Sequence, residues 1–149
     1  MKVVVVGVGH ALGGDDFVGI RVVEELSYEV KEKNVEFLTT MDPSRIIYLL
    51  EEYDLMIVVD AVIGEKAGEV YIIPSGDYPK HLKPISSHGF GVVLALETAR
   101  RLGINVDNKV RIVGITISEI VMYEEKLSQD VEKAVPKAKE VVKKLIYSF

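Results

Sequence analysis

The sequence predicts an α/β protein, folded as a single three-layer α/β/α domain over residues 1–149 around a mostly parallel five-stranded sheet. Two observations predict this class. Segments with strand patterns alternate with segments of helical periodicity, which is typical of parallel sheets covered by helices on both faces. The length of 149 residues and the 48% hydrophobic content also suit one globular unit with a core of ordinary size.

The first part of the chain supplies three of the predicted strands. The continuous apolar run from Val3 to Val8 predicts a central strand buried on both faces. The segment DDFVGIRVVEELSYEV has apolar residues at helical spacing and predicts the first helix. VEFLTT then predicts a second strand, PSRIIYLLEEY a short helix that begins at Pro43, and DLMIVVDAV a third strand that stays apolar until Asp60.

The second part of the chain supplies the remaining elements. GEVYIIP predicts a fourth strand and KVRIVGITI a fifth, and between them GFGVVLALETARRLG predicts a helix that ends at Gly103. SQDVEKAVPKAKEVVKKLIYSF predicts the last helix, beginning at Ser128. Pro136 lies inside this segment and is expected to kink the helix or to mark a restart.

Charge and composition exclude several classes of protein. The net charge of −5 argues against a nucleic-acid-binding protein, because neutralising phosphates requires a basic face. The chain has no cysteine, so disulfides, thiolate metal sites and cysteine nucleophiles are excluded. No signal peptide and no apolar run long enough to span a bilayer is evident. We therefore expect a cytoplasmic protein without membrane or nucleic-acid partners, and a monomer.

Residues with ionisable side chains are predicted to cluster at one edge of the sheet. Asp15 and Asp16 follow the first strand, Asp60 ends the third, and His88 precedes a helix. In parallel sheets the active crevice lies beyond the carboxyl ends of the strands, so these side chains are expected to converge there. Each has a simpler interpretation: either of the first two aspartates is a good helix cap, Asp60 suits a turn, and a lone histidine is usually a surface residue.

The glycine-rich turn GVGHALGG does not predict a phosphate site. It has the first two glycines of a dinucleotide-binding pattern, but Leu12 stands at the third position, and no acidic residue ends the second strand. Asp15 and Asp16 at the mouth of the following helix would repel a pyrophosphate. Two carboxylates and an imidazole suit instead a borderline divalent metal such as Zn, Ni, Mn or Fe, in an incomplete set that leaves positions open for water or substrate.

Four blocks of the sequence form an ordered set of motifs. The opening VVVVGVGHALGGDDFVGIRVVEEL contains G-x-G-H-x-L-x-x-D-D-x-x-G after a hydrophobic strand, and MIVVDAVIGEKAGEVYII places an aspartate after an apolar strand. SSHGFGVVLALETARRLG has S-x-H before a helix, and a strand, loop and helix follow from VRIVGITI onward. In this order the blocks resemble the hydrogenase maturation proteases, the endopeptidases that process [NiFe]-hydrogenase large subunits.

The resemblance implies the activity and the site. Such a protease removes a short C-terminal extension from the large-subunit precursor, its partner, after nickel insertion. Asp16, Asp60 and His88 match the residues expected to contact that nickel and to form the catalytic set. The nickel is then substrate-borne and recognised, not permanently held, and zinc or another divalent metal is expected to substitute in vitro.

Two departures from the family pattern and several alternatives stay open. His10 stands where the family usually has asparagine, which alters the loop or adds a ligand. At the end of the second strand, TTMDPSR, which begins with Thr39 and Thr40, replaces a common Asp-Gly-Gly-type segment. The metal either activates water and polarises the scissile carbonyl, or only docks the substrate while a carboxylate acts as general base. Asp15 is a candidate for a supporting role, with helix capping as its main one. A Rossmann-like nucleotide- or metal-binding module and a metal-independent aspartic protease are the alternative functions.

Overall fold

The computed structural model describes residues 1–75, 77–87, 90–121 and 123–148. The strands are β1 Val3–Val8, β2 Val35–Thr40, β3 Leu55–Ile63, β4 Val70–Pro74, β5 Lys83–Pro84, β6 Ser86–Ser87, β7 Phe90–Gly91 and β8 Val110–Ile117. The helices are α1 Val18–Glu29, α2 Arg45–Leu49, α3 Val92–Arg101 and α4 Gln129–Tyr147, with a short 3-10 helix at Gly14–Phe17 before α1.

The strands form a mixed sheet in the order β2-β1-β3-β8-β4. The first four strands in this order are parallel, whereas β4 pairs antiparallel with β8. The two-residue strand β5 adds a sixth member by pairing antiparallel with the end of β3. The predicted α/β class and its mostly parallel sheet are confirmed, with β5 and the β6–β7 pair as additions that the sequence did not indicate.

Side chains that alternate along β3 divide the core into two layers. Leu55, Ile57, Val59 and Ala61 belong to the apolar cluster that α1 and α4 cover. Met56, Val58 and Val62 belong to the cluster on the opposite face, beneath α2 and α3. Because successive residues of a strand point to opposite faces, Asp60 shares its face with the second group. The predicted three-layer arrangement therefore holds for the described residues.

Helix α4 is long and continuous, and ion pairs connect it to α1. It runs without a break through Pro136, so the restart considered from the sequence does not occur. Lys139 on α4 contacts Glu25 and Glu29 on α1, with N–O distances of 2.9 and 2.6 Å. Among the described residues, no helix combines the length and apolar character needed to cross a membrane.

Candidate active site

Asp16 and Asp60 lie at the carboxyl edge of the sheet, where the sequence predicted them. Asp16 belongs to the 3-10 helix that follows β1. Asp60 does not end its strand as predicted, because β3 continues to Ile63. The last residue pair between β1 and β3 is Gly7 with Val59, so Asp60 is the first residue of β3 that no longer pairs with β1. Asp60 and Asp16 therefore face the same pocket at this edge of the sheet.

Glycines after β1 allow the loop of Asp16 to pack closely on the sheet. A Cβ atom at Gly9 would lie 2.3 Å from the backbone oxygen of Asp16. A Cβ atom at Gly19, in the first turn of α1, would lie 2.3 Å from the backbone oxygen of Val59. No side chain tolerates such distances, so both positions require glycine. The glycine pattern thus serves close backbone packing, in agreement with the argument against a phosphate site.

Both aspartates line one small pocket with a cavity volume of about 30 Å³. A single water molecule needs about 10–15 Å³ measured in this way, so the cavity accommodates one metal ion or about two waters and not a nucleotide. The pocket is lined by Val8, Gly9, His10, Asp16, Met41, Pro43, Asp60, Ile85, Gly91 and Val92.

Burial makes the ionised forms of both carboxyl groups costly. Asp16 is 9% exposed, and burial raises the pKa of its carboxyl from the ordinary 3.8 to about 6, against the opposing effect of the nearby His10 ring. Asp60 is 4% exposed, and burial followed by the negative charge of Asp16 raises the pKa of its carboxyl well above the usual range. The electrostatic coupling shows that the two carboxyl groups are close neighbours.

The other buried polar side chains of the described core serve local structure instead. The Thr40 hydroxyl accepts the Asp42 backbone N–H at 2.9 Å. The Thr116 hydroxyl donates to the Lys66 backbone oxygen at 2.7 Å and accepts the Glu69 backbone N–H at 2.8 Å. Their burial is therefore explained by hydrogen bonds that fix loops. Asp16 and Asp60 are the buried acidic side chains of the described core, which makes them the candidate pair.

His10, for which the sequence left two effects open, lines the pocket. Its Nδ1 atom accepts the backbone N–H of Leu12 at 3.1 Å. This contact fixes the orientation of the ring relative to the glycine turn. Whether this departure from the family pattern alters the loop or adds a ligand stays a prediction. The position of His10 beside the glycine turn was the sequence signal that could have identified it as a pocket residue.

The segment TTMDPSR after β2 also contributes to the pocket. Asp42 accepts hydrogen bonds from the backbone N–H and the hydroxyl of Ser44, at 3.1 and 2.7 Å, and so forms a local turn. This turn presents Met41 and Pro43 to the cavity. Neither was predicted as a site residue, although the segment follows a strand at the carboxyl edge, where pocket residues are expected.

His88, the third predicted site residue, lies outside the described residues. Ile85 and Gly91, which precede and follow it in the sequence, line the pocket with the two aspartates. Within the described ranges, no group of three or more His, Cys, Asp or Glu side chains is placed to hold a metal ion. The described part of the chain thus supplies two carboxylates, and the convergence of His88 with them stays a prediction.

Asp15 binds the residue that precedes the last helix and does not cap the helix that follows it in the chain. Its Oδ1 accepts the backbone N–H of Ser128 at 2.6 Å, and its Oδ2 accepts the Ser128 hydroxyl at 2.8 Å. Ser128 is the residue that precedes α4. In addition, the Gly14 N–H donates to the backbone oxygen of Glu124 at 2.8 Å. The loop that carries Asp16 is therefore anchored to the segment before the last helix.

Apolar side chains are exposed on the loops around the pocket. We define the apolar rim as five residues that follow the carboxyl ends of β1, β2 and β8. The exposed fraction of these side chains ranges from 38% at Ile120 to 84% at Tyr123. The rim consists of Leu12, Met41, Ile120, Val121 and Tyr123. Exposed apolar groups gathered at one end of a molecule are typical of a surface that binds another protein.

Sequence comparison finds one matching family and one curated relative of similar length. The family model HycI, described as hydrogenase maturation protease, matches residues 20–145. This range includes Asp60 but begins after Asp16. Protein FrxA of Pyrococcus furiosus is 33% identical over 139 residues, which cover 89% of this chain and 96% of that protein.

Solved structures with the same fold carry related descriptions. The hydrogenase maturating endopeptidase HybD from E. coli is 26% identical, with a TM-score of 0.74 and coverage of 99% of this chain and 93% of that chain. The [NiFe] hydrogenase maturation protease HycI from Thermococcus kodakarensis KOD1 has the same TM-score of 0.74 at 21% identity, covering 98% and 92% of the two chains. The second likeness shows the fold alone.

Proposed function

Because the chain belongs to the hydrogenase maturation protease family, we propose that it removes the C-terminal extension of a [NiFe]-hydrogenase large-subunit precursor after nickel insertion. Asp16, Asp60 and His88 engage the nickel that the precursor carries. The observation that supports this most directly is the pair of buried carboxyl groups, Asp16 and Asp60, in one small pocket at the carboxyl edge of the sheet.

The electrostatics of the pair favour a dication as its partner. Burial and mutual repulsion penalise the ionised carboxylates, and a divalent ion between them offsets both penalties. Two oxygens and one imidazole nitrogen leave coordination positions open on a borderline metal such as nickel. Ligands from the precursor complete the set, so that recognition of the metal and docking of the substrate are one event.

Two chemical roles of the carboxylates are compatible with this docking. In one, the metal polarises the scissile carbonyl and acidifies a bound water. In the other, nickel only docks the substrate and a carboxylate accepts the proton of the attacking water. Asp15 is unsuited to that task, because both of its oxygens accept hydrogen bonds from Ser128. Asp16, with its pKa raised to about 6, is ionised at neutral pH and basic enough to take the proton.

The apolar rim supplies a surface for the protein substrate. Met41 belongs both to the rim and to the pocket lining, so the exposed apolar surface continues into the site. A precursor that lays its surface on the rim would exclude water from the pocket and place its nickel at the carboxylates. The large-subunit precursor is the occupant we propose, since the site that the rim surrounds is built for a metal-bearing substrate.

The test is a comparison of nickel-loaded and nickel-free precursor, with intact-mass measurement of the product. Wild-type protein is expected to shorten only the nickel-loaded precursor. Asp60→Asn removes a pocket carboxylate and is expected to abolish processing, whereas Asp77→Asn changes an exposed aspartate and serves as the matched control. Equal cleavage of both precursors would refute nickel recognition. Cleavage of neither by the folded protein would favour the binding-module alternative.

A metal-independent carboxylate pair is the second candidate mechanism, and one observation favours it. Burial and, after it, the charge of Asp16 raise the pKa of the Asp60 carboxyl, and the second effect is the one found in pairs of carboxyl groups that share one proton. Such a pair would cleave the precursor in the presence of a strong chelator and without nickel. Loss of cleavage on chelation, with recovery when nickel is restored to the precursor, would exclude this mechanism.

A further inference from the structure

The hydroxyl of Tyr78 is buried without a hydrogen-bond partner. Among the side chains that the structure describes, its Oη is the single buried nitrogen or oxygen atom in this state. Buried polar groups are paired in the great majority of cases, and an unpaired hydroxyl lowers stability. A phenylalanine at this position would avoid that penalty. The retained hydroxyl therefore points to a function beyond filling space.

Tyr78 lies on the same side of the sheet as Asp60. It packs against the apolar cluster beneath α2 and α3, and Asp60 faces this layer because it alternates along β3 with the residues of the other cluster. Burial and, after it, the negative charge of Asp60 raise the pKa of the Tyr78 hydroxyl. The phenol and the carboxyl group are thus close enough to interact within one water-poor layer.

The two groups are complementary in hydrogen bonding. An ionised carboxylate only accepts hydrogen bonds and has about four lone-pair positions. Within the described ranges, the backbone N–H of Ala61 stabilises the charged form of Asp60 by a hydrogen bond. The Tyr78 hydroxyl is a donor with no acceptor. The Asp60 carboxylate therefore has lone pairs available near the Tyr78 hydroxyl, which has no acceptor.

We propose that Tyr78 is a positioning residue of the site, whose hydroxyl donates a hydrogen bond to the Asp60 carboxylate and holds it toward the pocket. The two side chains do not bond directly in this arrangement, so the contact requires one bridging water or a small rotation of the phenol when the metal binds. Carboxylates that ligate metals are themselves oriented by such outer hydrogen bonds. The inference rests on the proposed nickel-contacting role of Asp60.

The decisive variant is Tyr78→Phe, which removes the hydroxyl and keeps the ring. Tyr71→Phe is the matched control, because Tyr71 borders the same apolar cluster and its hydroxyl donates to Glu69 at 3.1 Å, away from the pocket. Three quantities are measured for each protein. They are the affinity for Ni²⁺ by calorimetric titration with NiCl₂, kcat and KM for nickel-loaded precursor, and the midpoint of urea unfolding.

Tyr78→Phe is expected to lower kcat by about 10- to 100-fold, as for other outer partners of metal ligands, and to weaken Ni²⁺ binding. KM is expected to stay at or above the wild-type value, because the apolar rim is intact. The unfolding midpoint is expected to stay at or above the wild-type value, because a buried unpaired hydroxyl has been removed. A Tyr78→Phe protein with wild-type kcat and Ni²⁺ affinity would overturn the inference and leave the proposed function standing. Full processing by Asp60→Asn would instead overturn the proposed function, and this inference with it.

Discussion

Asparagine in place of Asp16 is expected to stabilise the folded protein at neutral pH while abolishing its processing of precursor. Burial raises the pKa of the Asp16 carboxyl from 3.8 to about 6, so the folded state binds a proton more tightly than the unfolded state does. The stabilising contribution of the protonated group is complete below the unfolded pKa and is lost as the pH rises through about 6.

The magnitude follows from that difference in pKa. The span from 3.8 to about 6, at about 1.4 kcal/mol per pH unit, corresponds to about 3 kcal/mol. Asparagine is uncharged at every pH, so it avoids this cost. Asp16→Asn should therefore exceed the wild type in free energy of unfolding by up to about 3 kcal/mol at about pH 7.5 and by little at about pH 4. Relief of the repulsion on Asp60 acts in the same direction.

The assay is urea unfolding across this pH range in the presence of a chelator, because a bound metal would itself relieve the cost of the carboxylate. Asp15→Asn is the control, since it removes the same charge one residue away, where the carboxylate is already hydrogen-bonded to Ser128. This control is expected to match the wild type or fall below it. An Asp16→Asn protein no more stable than wild type at neutral pH, or a difference that does not shrink in acid, would refute the reasoning.

The remaining predictions concern the packing that supports the site. Gly19→Ala would place a Cβ atom 2.3 Å from the backbone oxygen of Val59 and should cost about 1–3 kcal/mol or more in urea unfolding; an unchanged midpoint would contradict this packing. Asp15→Ala removes two hydrogen bonds to Ser128 and should cost about 1–2 kcal/mol and slow processing, which stopped-time mass measurements would reveal. Lys139→Met breaks two ion pairs between α4 and α1 and should cost about 1 kcal/mol or less, with a melting temperature less sensitive to salt than that of the wild type.

The regular part of the fold could be predicted because buried strands and helices consist largely of apolar residues, and this pattern is visible in the sequence. The apolar run of β1 gives its bounds, Val3–Val8, without error, since a strand covered on both faces needs such residues throughout. The strands β5, β6 and β7 have two residues each and are set by local pairing. They carry no periodic pattern that could have revealed them. The antiparallel direction of β4 depends likewise on its contact with β8.

Site residues whose positions follow from the topology of the sheet could be predicted. Residues whose roles depend on contacts in the folded molecule were missed. Asp16 and Asp60 could be paired from the sequence because the ends of parallel strands meet at one edge of the sheet. The role of Asp15 could not, because its partner Ser128 is 113 residues away and nothing local distinguishes it from a cap of the next helix. Tyr78 was also missed, since an unpaired buried hydroxyl exists only in the folded molecule.

The hydrogen bonds between Asp15 and Ser128 affect when the loop of Asp16 becomes anchored during synthesis of the chain. The strand and the aspartates near the start of the chain are synthesised early, but a domain generally folds as a unit. The loop that carries Asp16, however, gains its anchor only when residues 124 and 128 have emerged, because these supply its hydrogen bonds. A nascent or prematurely ended chain therefore carries Asp16 on a loop that lacks this anchor, and the anchoring of that loop is among the late events in the synthesis of the protein.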